Sequence, residues 1–240
     1  MSKNRFVWTT GDKIKITKPP PAPKPAKVLT THAINQPTDS LRGIGSHTNT
    51  TLVDFWQWAF SDLCDDDLKG IYAEWLVHKL LGIESPRRIS WANSDVVTPS
   101  RVRLEVKATS YWQSWKVIDQ YGQPYAEPRY TIPKDDSKIR FGGLMARDSS
   151  STTDMSMSRA LKAQLYVFAF QHEKYITRWN AMDLSQWEFY VVRAEELAQI
   201  GGRTVSLSKL RPKYGPLTSA EFGTRAKILI EQVARESNGA

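Results

Sequence analysis

A single cysteine, Cys64, stands in the whole chain. One thiol can neither close an intramolecular disulfide nor build a cysteine zinc cage. The sequence therefore suits a reducing compartment, with Cys64 expected as a small buried apolar group. Histidine is nearly as scarce: His32, His47, His78 and His172 are far apart and lack paired metal-ligand spacing, which argues against zinc. No apolar run approaches the roughly 18 residues of a membrane span, and the N-terminus carries no secretory apolar segment, so a cytoplasmic protein outside the membrane is expected. A glycine-rich loop ending in Gly-Lys-Ser or Gly-Lys-Thr is missing too, which argues against a nucleoside triphosphatase. There is no internal repeat.

What is present is apolar mass and an uneven charge. Hydrophobic residues make up 40% of the 240, with nine Trp, nine Tyr and eight Phe, enough to bury a real core in one sizeable domain. Of the net charge of +8, residues 1–27 hold seven cations (Lys3, Arg5, Lys13, Lys15, Lys18, Lys24 and Lys27) against Asp12 alone, which leaves only +2 for the rest. Within that arm KPPPAPKPAK, Lys18 to Lys27, can make neither helix nor sheet ladder, because proline lacks the amide donor and fixes φ. Residues 1–49 are thus expected as a basic, Pro-rich, partly disordered arm, with a short strand near Phe6–Thr9. An accessible cationic cluster suits a tether to a polyanion or a partner protein; the alternative is a solubilising tail.

The folded domain is assigned to residues 50–240. Leu52, Phe55, Trp56, Ala59, Phe60 and Leu63 recur at three- and four-residue steps, which predicts a helix with one wide apolar face. Any of Asp65, Asp66 and Asp67 can cap a second helix that runs to about Leu81 and ends at Gly82. Glu74 lies on that helix in a stripe with Gly70, Ala73, Val77 and Leu81. An unpaired carboxylate on such a face costs several kcal/mol, so it should meet a cation, a donor or a wet cleft. Arg87–Trp91 and Asp95–Val97 are expected as short strands, and Thr98-Pro99-Ser100 as a turn. A polar insertion spans about 116–158; in it IRFGGL is a candidate strand and DSSSTTD, Asp148–Asp154, a mobile loop. Gln164–Phe170 and Trp187–Val192 have the content of buried strands, Ala194–Ile200 of a short helix, and 218–236, opened by the capping sequence TSAE, of a C-terminal helix. The class is α/β (α+β): a mixed β-sheet flanked by helices.

RVRLEVKATS, Arg101 to Ser110, organises the rest. It alternates strictly, with Val102, Leu104, Val106 and Ala108 apolar or small and Arg101, Arg103, Glu105, Lys107 and Thr109 polar, the period of a strand with one buried face. Glu105 and Lys107 then point the same way, about 7 Å apart along the strand. With a second carboxylate nearby, for which Asp95 is the candidate, an acid and an ammonium so placed can hold a divalent metal and orient a water.

Glu74, then Asp95, then Glu105-Val106-Lys107 resembles the PD-(D/E)XK nuclease superfamily, in which a helix bearing Glu precedes a hairpin bearing Asp and then Glu-any-Lys. Residues 66–115 carry the likeness, and the strings AFSDLCDDDLKGIYAEWLVHKLLGI, LEVKATSYWQSW and QWEFYVV are also similar to a widespread group of bacterial proteins associated with that superfamily. No proline precedes Asp95, so only the Asp of the first half-motif is matched. The resemblance implies a restriction-endonuclease-like core and a magnesium- or manganese-dependent DNA nuclease, with a role in defence against foreign DNA as a further analogy. It implies Asp95, Glu105 and the Val106 carbonyl as metal ligands, since Mg²⁺ takes hard oxygens and keeps waters. It further implies Lys107 orienting or deprotonating the nucleophile, Glu74 holding an outer-sphere water or second metal, and Gln113 positioning water or phosphate. Homodimers are common among such enzymes. A non-catalytic nucleic-acid-binding or assembly module and an RNA-directed nuclease stay open as alternatives.

Tyr111, Trp112 and Trp115 beside the motif are candidates to stack bases or to pack the core. Arg87, Arg88, Arg101, Arg103, Arg203, Lys209, Arg211 and Lys213 are candidates for flanking phosphate contacts. Deleting residues 1–27 should weaken DNA binding and make the plot of log affinity against log salt shallower, as read by anisotropy titrations between low and physiological salt; an unchanged slope would make the arm a tail.

Overall fold

The structure is a computed structural model, and it describes residues 4–8, 14–18, 35–43, 50–84, 87–89, 92–114, 119, 121–123, 135–147, 159–200 and 202–238. The expected Pro-rich linker, the loop Asp148–Asp154 and Trp115 lie outside these residues. In the N-terminal arm β1 (Asn4–Trp8) pairs antiparallel with β2 (Ile14–Lys18), a larger element than the single strand expected there.

α1 (Leu52–Phe60) starts where Thr51 donates its amide and hydroxyl to the Asp54 carboxylate, at 2.6 and 2.8 Å. Its expected burial fails: not one of its residues is buried, Trp58 is 84% exposed, and Phe55 instead makes ring contacts with Trp58 and Phe60. Periodicity announces an apolar face but not what covers it. α2 (Asp66–Leu81) follows the sequence closely. Asp65 caps it by accepting from the amides of Asp67 and Leu68, and Gly82, at φ 69°, returns its N–H to the carbonyls of His78 and Lys79. A left-handed residue there is what closes a helix without a Cβ penalty.

The principal sheet begins with β3 (Val96–Val97) and β4 (Arg103–Ser110), which pair antiparallel, Val96 opposite Leu104. Of the predicted strand at Arg87–Trp91, the described residues Arg87, Arg88 and Ile89 are irregular, and Arg88 is engaged by a side chain of α2; Ser90 and Trp91 lie outside the described residues. Between β3 and β4 the turn is drawn tight. Arg101 sits at φ 64° with its amide on the Thr98 carbonyl, and the Thr98 hydroxyl accepts from Val102 N–H. Next come β5 (Arg140–Phe141), β6 (Ala146–Arg147) and β7 (Arg159–Ala160), all within or beside the insertion. β8 (Leu165–Gln171) joins β4 in parallel, and β9 (Trp187–Arg193) joins β8 antiparallel, giving the order β3-β4-β8-β9. α3 (Ala194–Ile200), β10 (Val205–Ser206), α4 (Leu207–Tyr214) and α5 (Ser219–Asn238) complete the chain, with β10 paired to β5. α4 was not anticipated, because its Pro212 and charged stretch mask a single apolar edge of Leu207 and Leu210.

Two cores clamp the sheet. On one face Leu104, Val106, Leu165 and Val167 meet Ala73 and Val77 of α2 and Phe222, Ala226 and Ile230 of α5. On the other, Tyr166, Phe168 and Phe170 meet Phe141, Leu197, Val205 and Leu210. Every residue of β8 is therefore buried, the outcome of covering both faces of a strand. Tyr111 and Trp112 belong to the second core, at 4% and 5% exposure, so they pack and do not stack bases. Arg211 bridges Asp136 and Glu188 instead of offering its charge outward. Among the described residues no helix is long and apolar enough to cross a membrane.

α2 and α5 meet at a glycine. A Cβ on Gly223 would stand 2.8 Å from the Leu80 carbonyl oxygen, a backbone atom that cannot swing aside. Gly223→Ala is expected to lower unfolding free energy by about 1–3 kcal/mol, despite the roughly 1 kcal/mol that alanine gains in an open helix. A urea melt reads this; a stabilised variant would refute the close approach.

Candidate functional site

The β3–β4 register decides where the candidate carboxylates go. Val96 and Leu104 are partners and both are buried in the core under α2, so Glu105, the next residue of β4, turns to the opposite face, and Asp95 stands immediately before β3, opposite it in the continued register. The amide and carbonyl of any one strand residue leave on the same edge. Thr98 N–H reaches the Val102 carbonyl on the β3 side, whereas Gln164 N–H reaches the Arg103 carbonyl on the β8 side. Even-numbered residues of β4 therefore address β3. β3 ends at Val96, and beyond it the Val106 amide donates to Asp95 Oδ2 at 2.7 Å. The Val106 carbonyl faces that same edge.

Lys107 Nζ lies 2.8 Å from Glu105 Oε1, which confirms that the two share a face; their side chains are 21% and 14% exposed. Gly143, at φ 65°, roofs the ammonium: a Cβ there would come within 3.8 Å of Nζ. Glu74 approaches from α2 and is gripped by Arg88, Nε to Oε2 at 2.6 Å and Nη2 to Oε1 at 3.0 Å. That bidentate pair supplies the cation the Glu74 position required, from a residue read in sequence as a phosphate contact.

Asp95 is under electrostatic pressure. Desolvation is the largest cause, followed by the Glu105 charge, with a smaller push from Glu74; the Val106 amide and Lys107 oppose them, and the carboxyl is left at about 6. Glu105, Glu74 and Lys107 are thus all near enough to act on Asp95. His78, one turn after Glu74, places Nε2 3.3 Å from the Asp95 carbonyl oxygen, while its Nδ1 is buried without a hydrogen-bond partner. Glu74, His78 and Asp95 also line an open cavity of 470 Å³ beside α2.

Gln113 stands apart, half-buried three residues beyond β4, with no hydrogen bond to Asp95, Glu105 or Lys107. Its stretch is held by a residue that sequence reasoning overlooked. Lys69, only 2% exposed, crosses from α2 to donate to the Trp112 carbonyl at 3.0 Å and to Asp66 Oδ1 at 3.0 Å. A lysine on the charged first turn of a helix gives no sequence signal of burial. Cys64 nearby is buried as expected, and that burial pushes its thiol up to about 11, an inert group.

As a cation site the donors are chemically apt: two carboxylates and a main-chain carbonyl on one edge are hard oxygens, and three carboxylates face two cations. The cluster is nonetheless closed on itself by its ion pairs, and no group of three His, Cys, Asp or Glu side chains among the described residues is arranged to hold a metal. No protein-family model matches the chain, and no curated protein matches it.

The Asp95 carboxyl binds its proton more tightly in the folded chain, at about 6 against 3.8. Stability should therefore rise as pH falls through about 6 and level off once the unfolded chain is protonated as well. Asp95→Asn, which keeps an acceptor for the Val106 amide, is expected to gain up to about 3 kcal/mol at pH 8 in metal-free buffer and to lose that advantage by about pH 4. Urea melts across that range measure it; no gain at pH 8 would mean the carboxylate is well solvated.

Proposed function

We propose that the chain is a metal-dependent nuclease that hydrolyses DNA phosphodiester bonds on a restriction-endonuclease-like core. The observation that carries this reading is the convergence of Asp95, Glu105 and Lys107 on one strand edge, with Glu74 close enough to disturb the Asp95 carboxyl. Asp95, Glu105 and the Val106 carbonyl would hold Mg²⁺ or Mn²⁺. When bound, the ion supplies a water of lowered pKa and offsets charge on the scissile phosphate. Lys107, paired with Glu105, would orient the attacking water and neutralise a phosphate oxygen. The Val106 amide fixes which Asp95 oxygen remains for the metal. Arg88 keeps Glu74 from adding a further uncompensated negative charge beside Asp95. Defence against foreign DNA, a cytoplasmic location, a partner held by the N-terminal arm and a homodimeric state belong to this proposal by analogy alone.

A second reading, a nucleic-acid-binding or assembly module without cleavage, draws on the closed ion pairs Glu74–Arg88 and Glu105–Lys107. Plasmid and oligonucleotide cleavage with Mg²⁺, Mn²⁺ or EDTA separates the two. Wild type should nick DNA only with metal, and Asp95→Ala and Lys107→Ala should each lose at least about 100-fold, the scale of one preorganised electrostatic contact. Nicking that survives both changes, or retention of DNA without nicking, would overturn the nuclease assignment; preference for RNA would redirect it.

A further inference from the structure

The open cavity beside α2 has a composition that the carboxylate chemistry leaves unused. Its lining includes Glu74 and Asp95, but also Ile71, Trp75, Lys79, Arg87, Ile89 and Val97. Four of these are large apolar groups left in water: Ile71 at 38%, Trp75 at 47%, Val97 at 53% and Ile89 at 62% exposure. Trp75 is braced, its ring stacked on Tyr72 with centroids 5.6 Å apart and planes 27° apart, while Tyr72 leans on Trp187 at 6.1 Å. One turn further along the helix Lys79 sets its ammonium 5.8 Å from the centre of the Trp75 ring. A flat, pre-oriented indole with a cation beside it and apolar side chains in the same lining suits a nucleobase with its phosphate.

We propose that this cavity holds an unpaired nucleotide of the substrate strand, its base on Trp75 and its phosphate at Lys79, adjoining the scissile position at Asp95. The proposal rests on the nuclease reading and adds to it a preference for single-stranded or frayed ends over intact duplex. Paired bases keep their π faces inside the stack, so the body of a duplex would bring only groove edges, sugar and phosphate to these walls and leave the Trp75 ring without a stacking partner. An unpaired base has an open π face. The volume of 470 Å³ lies within the roughly 300–1,000 Å³ of sites that enclose a small molecule, room for a base and its sugar. Glu84, also in the lining, works against an acidic peptide as occupant, because repulsion there must be offset by stacking, which a nucleobase provides and a carboxylate chain does not. Base entry displaces Lys79 from the ring and frees the ammonium for the adjacent phosphate.

The test uses the full chain in EDTA, where binding is read without cleavage, and fluorescein-labelled single-stranded and blunt duplex oligonucleotides of equal length. Trp75→Ala should weaken single-strand binding by about 5- to 100-fold while changing duplex binding less than twofold, and Trp75→Phe, which keeps a ring face, should recover most of the loss. Thermal melts check that the exposed substitution leaves the fold intact. Equal single-strand affinity for wild type and Trp75→Ala would overturn the proposal, as would a wild type that does not bind single strands. So would poly-glutamate displacing the oligonucleotide as well as unlabelled strand does, because the groove would then read negative charge alone. Metal-dependent cleavage is scored separately: cleavage with no Trp75 effect on single strands sinks the groove alone, whereas Trp75-dependent binding without cleavage sinks the nuclease reading and keeps the groove as a single-strand site.

Discussion

One hydrogen bond, Val106 N–H to Asp95 Oδ2 at 2.7 Å, marks the constraint on which the arrangement depends: the point where β3 stops and a side chain takes over from its backbone. Had β3 begun two residues earlier as a regular ladder, the Ser94 carbonyl would meet that amide and Asp95 would have no fixed orientation. Were β4 turned by one residue, Glu105 would face the aliphatic core under α2 in place of Leu104 and Val106, at a cost that no charge tolerates unpaired. The turn enforces the register. Thr98 binds Val102 from both its amide and its hydroxyl, and Arg101 accepts a left-handed conformation that costs an ordinary residue about 1–2 kcal/mol.

Once Asp95 and Glu105 share a face, repulsion has to be managed. Lys107 answers Glu105 and Arg88 answers Glu74, which leaves Asp95 with an amide donor and a raised proton affinity. Such a cluster is a local weakness in stability that the two cores offset, and it is the kind of charge imbalance that a bound divalent ion relieves. Lys69 extends the same logic to the end of β4. Its buried ammonium is tolerable because it finds both an acid and a carbonyl, and in doing so it ties α2 to the chain that follows the motif strand.

Much of the architecture was legible in the chain. Alternation gave β4, the continuous apolar runs gave β8 and β9, Asp65 and Gly82 bounded α2, and Thr218 with Glu221 closed the box that opens α5, the amide of Thr218 and the Glu221 carboxylate lying 2.8 Å apart. These are local effects: a period, a cap or a breaker acts within a few residues of itself. Glu105 and Lys107 sharing a face followed from the same period of two. α1 shows the limit of this reasoning, since its apolar stripe is real and yet unburied.

Tertiary structure alone decided the rest. That Arg88 grips Glu74, that Lys69 is buried, that Tyr111 and Trp112 pack inward, and that Trp75 stands exposed over a cavity are outcomes of how α2 lies on the sheet. The residue types by themselves are equally at home in solvent or in a core. By itself the sequence determined which side chains alternate, cap and break, because those follow from backbone geometry a few bonds away. Which charge meets which, and which aromatic stays wet, was set by distances between segments far apart along the chain, where only the packed whole fixes who is neighbour to whom.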